Sequence, residues 1–220
     1  RPVLDPSDRR RHVGTVVEAA DSAVPPAMAS ALAAFPSWSA MPAEARAAAL
    51  EKYADLLEDR RAQAMALCIR EAGKTIPDAV AEVREAVDFA RYYAARARAD
   101  FAAPAPLPGP TGENNTISLA ARGVFACISP WNFPLAIFSG QVLAALAAGN
   151  AVIAKPAEQT PLIAAFAVRL MHQAGIPEDV LHFLPGNGAT IGAALTAHPS
   201  IAGVAFTGSG QTARRIAKSL

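Results

Sequence analysis

GVFACISPWNFPLAIFSGQVLAALAAGNAVIAKPAEQTP, residues 123–161, decides the fold. Its opening GVFACIS and its later NAVIAK are apolar at successive positions, as strands covered on both faces require. Between them, residues 135–148 form an apolar run of helical length. Strand, helix, strand with both strands greasy specifies a parallel sheet with helices on both faces, an α/β protein. The alternation continues downstream: a helix over 160–174, a short strand LHFLP, a glycine-rich turn into a helix over 188–197, the strand GVAFTG, and a final helix.

Upstream the pattern changes. The first hundred residues are rich in Ala, Arg and Glu, with apolar positions at helical spacing. PAEARAAALEKYADLLEDRRAQAMALCIREAG predicts one long helix or two abutting ones, bracketed by Pro42 at the start and Gly73 past the end. A further helix is expected from about Pro77, with Val80, Val83, Val87, Ala90 and Ala94 on its apolar face and no chemistry of its own. AAPAPLPGPTGENN, residues 102–115, carries four prolines and two glycines and is expected to lack regular structure. TISLAA after it reads as a short strand.

Bulk properties exclude several function classes. In 220 residues, 52% hydrophobic content is ample for a buried core. With 20 Lys+Arg against 19 Asp+Glu the formal charge is +1, so no polyanionic partner or acidic membrane surface is advertised. The only compact basic run, Arg9 to Arg11, reads as a solvated turn rather than a phosphate track. Cys68 and Cys127 lie far apart with no CxxC, which predicts neither a disulfide scaffold nor a metal site and fits a reducing cytoplasm. The apolar stretch 133–154 is broken by Pro134, Gln141, Gly149 and Asn150, so no membrane span is expected, and no signal peptide opens the chain.

In a doubly covered parallel sheet, ligands bind beyond the carboxyl ends of the strands. Four strand ends here carry polar or glycine-bearing segments: Pro130 to Pro134, Lys155 to Glu158, Gly186 to Gly188, and Thr207 to Ser209. GNGATIG has the spacing G-x-G-x-x-x-G, one residue too long for the ordinary dinucleotide fingerprint, and AFTG stands where that fingerprint expects an acid. Gly186 and Gly188 are equally explained as a tight strand-to-helix turn. Lys155 and Glu158 could grip adjacent ribose hydroxyls, and the carboxylate would repel a 2′-phosphate, or they could form a surface ion pair at a helix start. Ser209 offers a helix N-terminus to a pyrophosphate, or simply caps that helix. Asn132, held between Pro130 and Pro134, reads on its own as a structural asparagine bonded to nearby backbone, and Phe133 as core.

Taken in order, SPWNFP, KPAEQTP, LPGNGATIGAAL and VAFTGS resemble the aldehyde dehydrogenase superfamily. AAFPSW, the long helical stretch ending EAGKT, and EVREAVDFARYYAARAR are similar to its helical amino-terminal segment. Within it, GPTGENN, the 123–161 stretch and IGAALTAHPSIAGVAFTGS are closest to the L-glutamate-γ-semialdehyde (Δ1-pyrroline-5-carboxylate) dehydrogenase half of the bifunctional proline utilization A flavoproteins. The resemblance implies three parts: a helical amino-terminal segment over 1–101, a connector with a possible oligomerisation strand over 102–122, and a partial Rossmann-like NAD-binding domain over 123–220. It implies NAD as cofactor, FAD only in a separate proline dehydrogenase half, an aldehyde as substrate, and a homo-oligomer. Asn132 matches the asparagine whose side-chain N–H stabilises the oxyanion formed when a cysteine thiolate attacks the aldehyde. Lys155 and Glu158 match adenosine-ribose contacts. Ser129, Pro130, Trp131, Gly208 and Ser209 match positions around the pyrophosphate and nicotinamide. Gly188 matches a close approach to the adenine, and Phe133 a residue beside the aldehyde channel.

The resemblance also implies that the nucleophilic cysteine and the general-base glutamate lie downstream of FTGS, outside these 220 residues. Cys68 and Cys127, both in apolar surroundings, are expected to be inert. Gly210-Gln211, where relatives commonly carry Thr-Glu, removes an acid from the first turn of the last helix. The expectation is a parent enzyme that oxidises glutamate semialdehyde with NAD, and a segment inactive alone and prone to self-association through unpaired strand edges. Two alternatives stay open: a different aldehyde as substrate, or a nucleotide-binding module without catalysis.

Overall fold

The computed structural model describes residues 1–220. β1 (Pro2–Asp5) and β2 (Asp8–Thr15) form an antiparallel hairpin, followed by a short 3-10 turn, Asp21–Ala23, and four helices: α1 (Val24–Ala40), α2 (Ala43–Asp59), α3 (Arg61–Ala72) and α4 (Ile76–Phe101). A second antiparallel hairpin joins β3 (Ala105–Leu107) to β4 (Asn115–Ile117). The rest alternates: β5 (Val124–Ile128), α5 (Ala136–Ala147), β6 (Ala151–Lys155), α6 (Pro161–Gln173), β7 (Leu181–Phe183), a π turn over Gly188–Gly192 running into α7 (Ala193–Thr196), β8 (Ile201–Phe206) and α8 (Gly210–Ser219).

The last four strands pair in parallel in the order β7-β6-β5-β8. Right-handed crossovers place α5 and α6 on one face, where α2, α3 and α4 back them; α1 packs across β5, β6 and β7 from the other. One apolar cluster runs from Val24 to Leu195, so the helical half and the sheet share a core. No helix is long and apolar enough to cross a membrane.

Three expectations are corrected. Arg9 to Arg11 lie in β2 rather than a turn, because an exposed strand of a two-stranded ribbon needs no apolar alternation. Residues 105–107 form a strand despite Pro106, which an edge ribbon tolerates because half its N–H groups face away from the partner. Val80 is 40% exposed. The buried stripe of α4 runs through Ala79, Val83, Ala86, Val87, Ala90, Ala94 and Ala97, and Val80 falls off its side.

The long helical stretch breaks into α2 and α3 at Arg60, with Pro42 and Gly73 at its two limits. Gly73 adopts φ +67, so that its N–H and that of Lys74 return to the carbonyls of Ile69 and Cys68. A Cβ there would also meet Pro6 Cγ at 3.1 Å. Gly73→Ala is expected to lower stability by about 1–2 kcal/mol, read as a lower urea midpoint at unchanged m; an unshifted midpoint would contradict this.

Charged groups of the helical half close the ends of helices in the sheet half. Glu71, only 4% exposed, accepts from the Leu162 and Ile163 N–H groups at 2.7 and 2.8 Å, at the start of α6. Glu82 accepts from the Leu135 and Ala136 N–H groups at 3.1 and 2.9 Å, at the start of α5. At the other end of α5, Trp38 Nε1 donates to the Leu146 carbonyl and Arg46 Nε to that of Ala147, both at 3.1 Å. An anion therefore sits at the N-terminus of α5 and a cation at its C-terminus, each opposing the local helix dipole. The Tyr53 hydroxyl meets Ser139 Oγ, in the first turn of α5, at 2.8 Å.

Candidate functional site

In chain order the sheet strands run 3-2-1-4, and the connection direction reverses between β5 and β8. A crevice opens beyond the carboxyl ends of strands at such a reversal, because the helices on either side diverge there. A cleft of about 940 Å³ occupies this place, bounded by the ends of β5, β6 and β8, the π turn and α8. Its volume suits a cofactor-sized ligand.

Ser129, Pro130, Trp131, Asn132, Lys155, Glu158, Gly188, Gly208 and Ser209 all line this one cleft. Phe133 does not. It is 40% exposed, and its ring lies under Lys74, whose Nζ is 4.4 Å from the ring centroid. Asn132 is exposed, and none of the chain's hydrogen bonds uses its side-chain amide, so the backbone-bonding role that its type alone suggests is not filled. Trp131 beside it is 56% exposed at the cleft mouth.

Lys155 is 4% exposed, and burial lowers its pKa while Glu158 partly restores it. Its Nζ donates to the Pro156 carbonyl at 3.0 Å. An ammonium carries three donors, and the other two have no partner in the chain. Gly192 faces the lysine stem; a Cβ there would stand 3.7 Å from Cδ and Cε. Glu158 does not pair with the start of α6. Its carboxylate accepts from the Gly188 N–H at 2.8 Å and from Asn187 Nδ2 at 3.3 Å, tying the β6 loop to the turn after β7.

The surplus residue in GNGATIG has a physical location. Gly188–Gly192 form a π turn, in which the Gly192 N–H reaches the Asn187 carbonyl at 3.5 Å, and such a turn takes up one residue more than an α turn. Asn187 caps it, accepting from the Ala189 N–H at 2.7 Å. Gly186 is required by packing, since a Cβ would meet Ile191 Cγ1 at 2.6 Å. Ser209 caps α8 by accepting from the Thr212 N–H at 3.2 Å. The first turn of α8 holds no acid, leaving the positive end of the helix open towards the cleft.

Sequence reasoning missed several lining or bracing residues. Arg215 and Thr212 of α8 reach the cleft, as helical spacing from Ser209 could have indicated. Gln141 sits within an apolar helix and bridges the two strands at the reversal. In the orientation that satisfies both amide atoms, it donates to the Ile128 carbonyl at 3.3 Å and accepts from the Thr207 N–H at 3.0 Å. Cys68 and Cys127 are buried, and burial pushes each thiol up to about 12, so neither offers a thiolate to the cleft.

Comparison with known proteins gives a consistent result. The chain matches the aldehyde dehydrogenase family over residues 1–220. It is 49% identical over 220 residues to the bifunctional protein PutA of Klebsiella aerogenes, covering 100% of this chain and 16% of that protein. It is 39% identical over 213 residues to 1-pyrroline-5-carboxylate dehydrogenase of Bacillus subtilis, covering 97% of this chain and 41% of that enzyme. A crystal structure of a variant of Bradyrhizobium japonicum proline utilization A superposes with a TM-score of 0.90 at 57% identity, over 93% of this chain and 21% of that one. The chain thus spans about one sixth of the bifunctional relatives it matches and under half of the single-function one.

Proposed function

Because the chain belongs to the aldehyde dehydrogenase family, we propose that it supplies the cofactor cleft and the oxyanion donor of an NAD-dependent dehydrogenase that oxidises L-glutamate γ-semialdehyde to glutamate in proline catabolism. The observation that carries this reading is the convergence of Trp131, Asn132, Lys155, Glu158 and Ser209 on one cleft at the strand-order reversal. The 1-pyrroline-5-carboxylate dehydrogenase and PutA relatives support this choice of substrate.

The residues present fit a dinucleotide. Lys155 is buried with two unpartnered donors, which favours a ligand with hydroxyl or phosphate acceptors at that point. Lys155 and Glu158 would hold the adenosine ribose, Gly188 would allow close approach of the adenine, and Gly208, Ser209 and the open N-terminus of α8 would face the pyrophosphate. Ser129, Pro130 and Trp131 would border the nicotinamide. When bound, NAD takes up the hydride released as the aldehyde carbon is oxidised. Asn132 donates its amide N–H to the carbonyl oxygen as that oxygen becomes anionic, and Phe133 stands by the aldehyde's approach.

On this reading the nucleophile comes from outside residues 1–220; that both thiols here are buried, and pushed up to about 12 by that burial, supports it. The same observation favours a second reading, in which these residues by themselves bind the dinucleotide without turning over. FAD belongs to a separate proline dehydrogenase half. The exposed β3–β4 hairpin is the element through which copies of the parent would associate, and thiols without a disulfide suit a cytoplasmic enzyme.

Calorimetric titration with NAD and then NADP tests the cleft. NAD is expected to bind more tightly, and Glu158→Gln to narrow that preference about tenfold by removing the charge that opposes a 2′-phosphate. A preference for NADP in the unsubstituted protein would overturn the role given to Glu158; saturable binding of neither would overturn the cleft.

A further inference from the structure

The loop from Ser129 to Pro134 is braced from a direction its own sequence does not announce. Glu82 of α4 is 1% exposed and uses one carboxylate oxygen to accept from the N–H groups of Leu135 and Ala136, immediately after the loop. Its other oxygen lies 2.9 Å from Lys74 Nζ. The same ammonium stands 4.4 Å from the centroid of the Phe133 ring, the residue next to Asn132. Lys74 is delivered to this place by the left-handed Gly73, and Thr75 then caps α4 by accepting from the Asp78 N–H.

We propose that Lys74 and Glu82 are a positioning pair for Asn132, Glu82 holding the start of α5 and Lys74 holding the Phe133 ring. The inference rests on the oxyanion reading of Asn132. A donor that must be in place before charge develops cannot orient itself if it has no partner in the chain, and Asn132 has none. The two residues after the loop are fixed by a buried carboxylate, and the residue beside Asn132 by a cation over its ring. Stabilising α5 does not require this pair alone, because Trp38 and Arg46 hold that helix at its far end and Tyr53 bonds Ser139 in its first turn. The contact between Lys74 and Phe133 serves the loop, not the core, since Phe133 is 40% exposed.

The test compares Lys74→Met, Lys74→Arg, Asn132→Ala and the double variant Lys74→Met/Asn132→Ala in the full-length enzyme. Lys74→Met is expected to lower kcat about tenfold with KM for NAD unchanged, Lys74→Arg to recover most of that loss, and Lys74→Met to cost nothing further once Asn132 is gone. Should Lys74→Met not fold, Glu82→Gln keeps an acceptor for the two N–H groups while releasing Lys74, and the same loss is expected. If Asn132→Ala lowers kcat but neither Lys74→Met nor Glu82→Gln does, the positioning role is wrong and the oxyanion reading stands. If Asn132→Ala leaves kcat unchanged, the oxyanion reading fails and this inference with it. A full additional loss from Lys74→Met in the Asn132→Ala background would place the action of Lys74 elsewhere.

Discussion

Asn132→Ala in the full-length enzyme is expected to lower kcat for aldehyde oxidation by about 10²–10³, with little change in NAD affinity. The magnitude is that of removing one preorganised oxyanion donor, worth about 3–4 kcal/mol in a site shielded from water. The selectivity for kcat follows from where the interaction forms. A neutral aldehyde oxygen accepts a weak hydrogen bond and the developing anion a strong one, so the loss falls on the transition state and not on ground-state binding. The geometry supports this partition, because Asn132 lies on the loop after β5 with a free amide, while Lys155 and Glu158 stand on the loop after β6. Steady-state kinetics of the variant checks it; a raised KM at unchanged kcat would assign Asn132 to binding.

Glu71→Gln is expected to remove a pH dependence of stability that the unsubstituted protein shows between about 4.5 and 7. Burial pushes the Glu71 carboxyl up to about 7, against the Ile163 and Leu162 N–H groups and Arg1, which favour its anion. A carboxyl whose pKa is raised on folding binds its proton more tightly in the folded state. Its contribution is therefore fully present below about pH 4.5 and is lost as pH rises through 7. A rise from 4.5 to about 7 corresponds to about 3 kcal/mol between the two limits. Other carboxylates titrate in the same range, so the quantity to follow is the difference between the two proteins in urea unfolding across pH 4 to 8, roughly the span of the effect. Glu71→Gln should gain relative to the parent as pH rises. A constant difference would mean that Glu71 titrates normally despite its burial.

These predictions draw on different levels of the protein. The βαβ pattern, the helical first half, the break at Gly73 and the four polar strand ends were legible in the sequence, because each depends on periodicity or turn chemistry over a few residues. The N-terminal hairpin was not: DRRRHVGT has no alternation, and its pairing with Pro2–Asp5 comes from backbone hydrogen bonds to which side-chain pattern is blind. The GNGATIG spacing looked like a failed fingerprint and proved to be a π turn, since counting residues assumes an α-helical start.

The candidate site divides in the same way. The polar strand ends holding Asn132, Lys155, Glu158 and Ser209 could be found from local pattern, because a buried parallel sheet leaves only its edges and termini to carry chemistry. Only the resemblance to the aldehyde dehydrogenases gave those residues roles. Their supports could not be found in either way. Glu71, Glu82, Lys74 and Gln141 are ordinary residues on ordinary helices, and their roles arise from contacts reaching up to 92 positions along the chain. The sequence by itself determined the class of fold and which strand ends carry polar segments, through patterns that operate over one or two turns. Tertiary structure alone decided that Glu158 bridges to Gly188, that Phe133 leaves the cleft for Lys74, and that two buried glutamates close helices in the other half. The physical reason is that a helix N-terminus accepts any carboxylate brought to it, and only packing determines which one arrives.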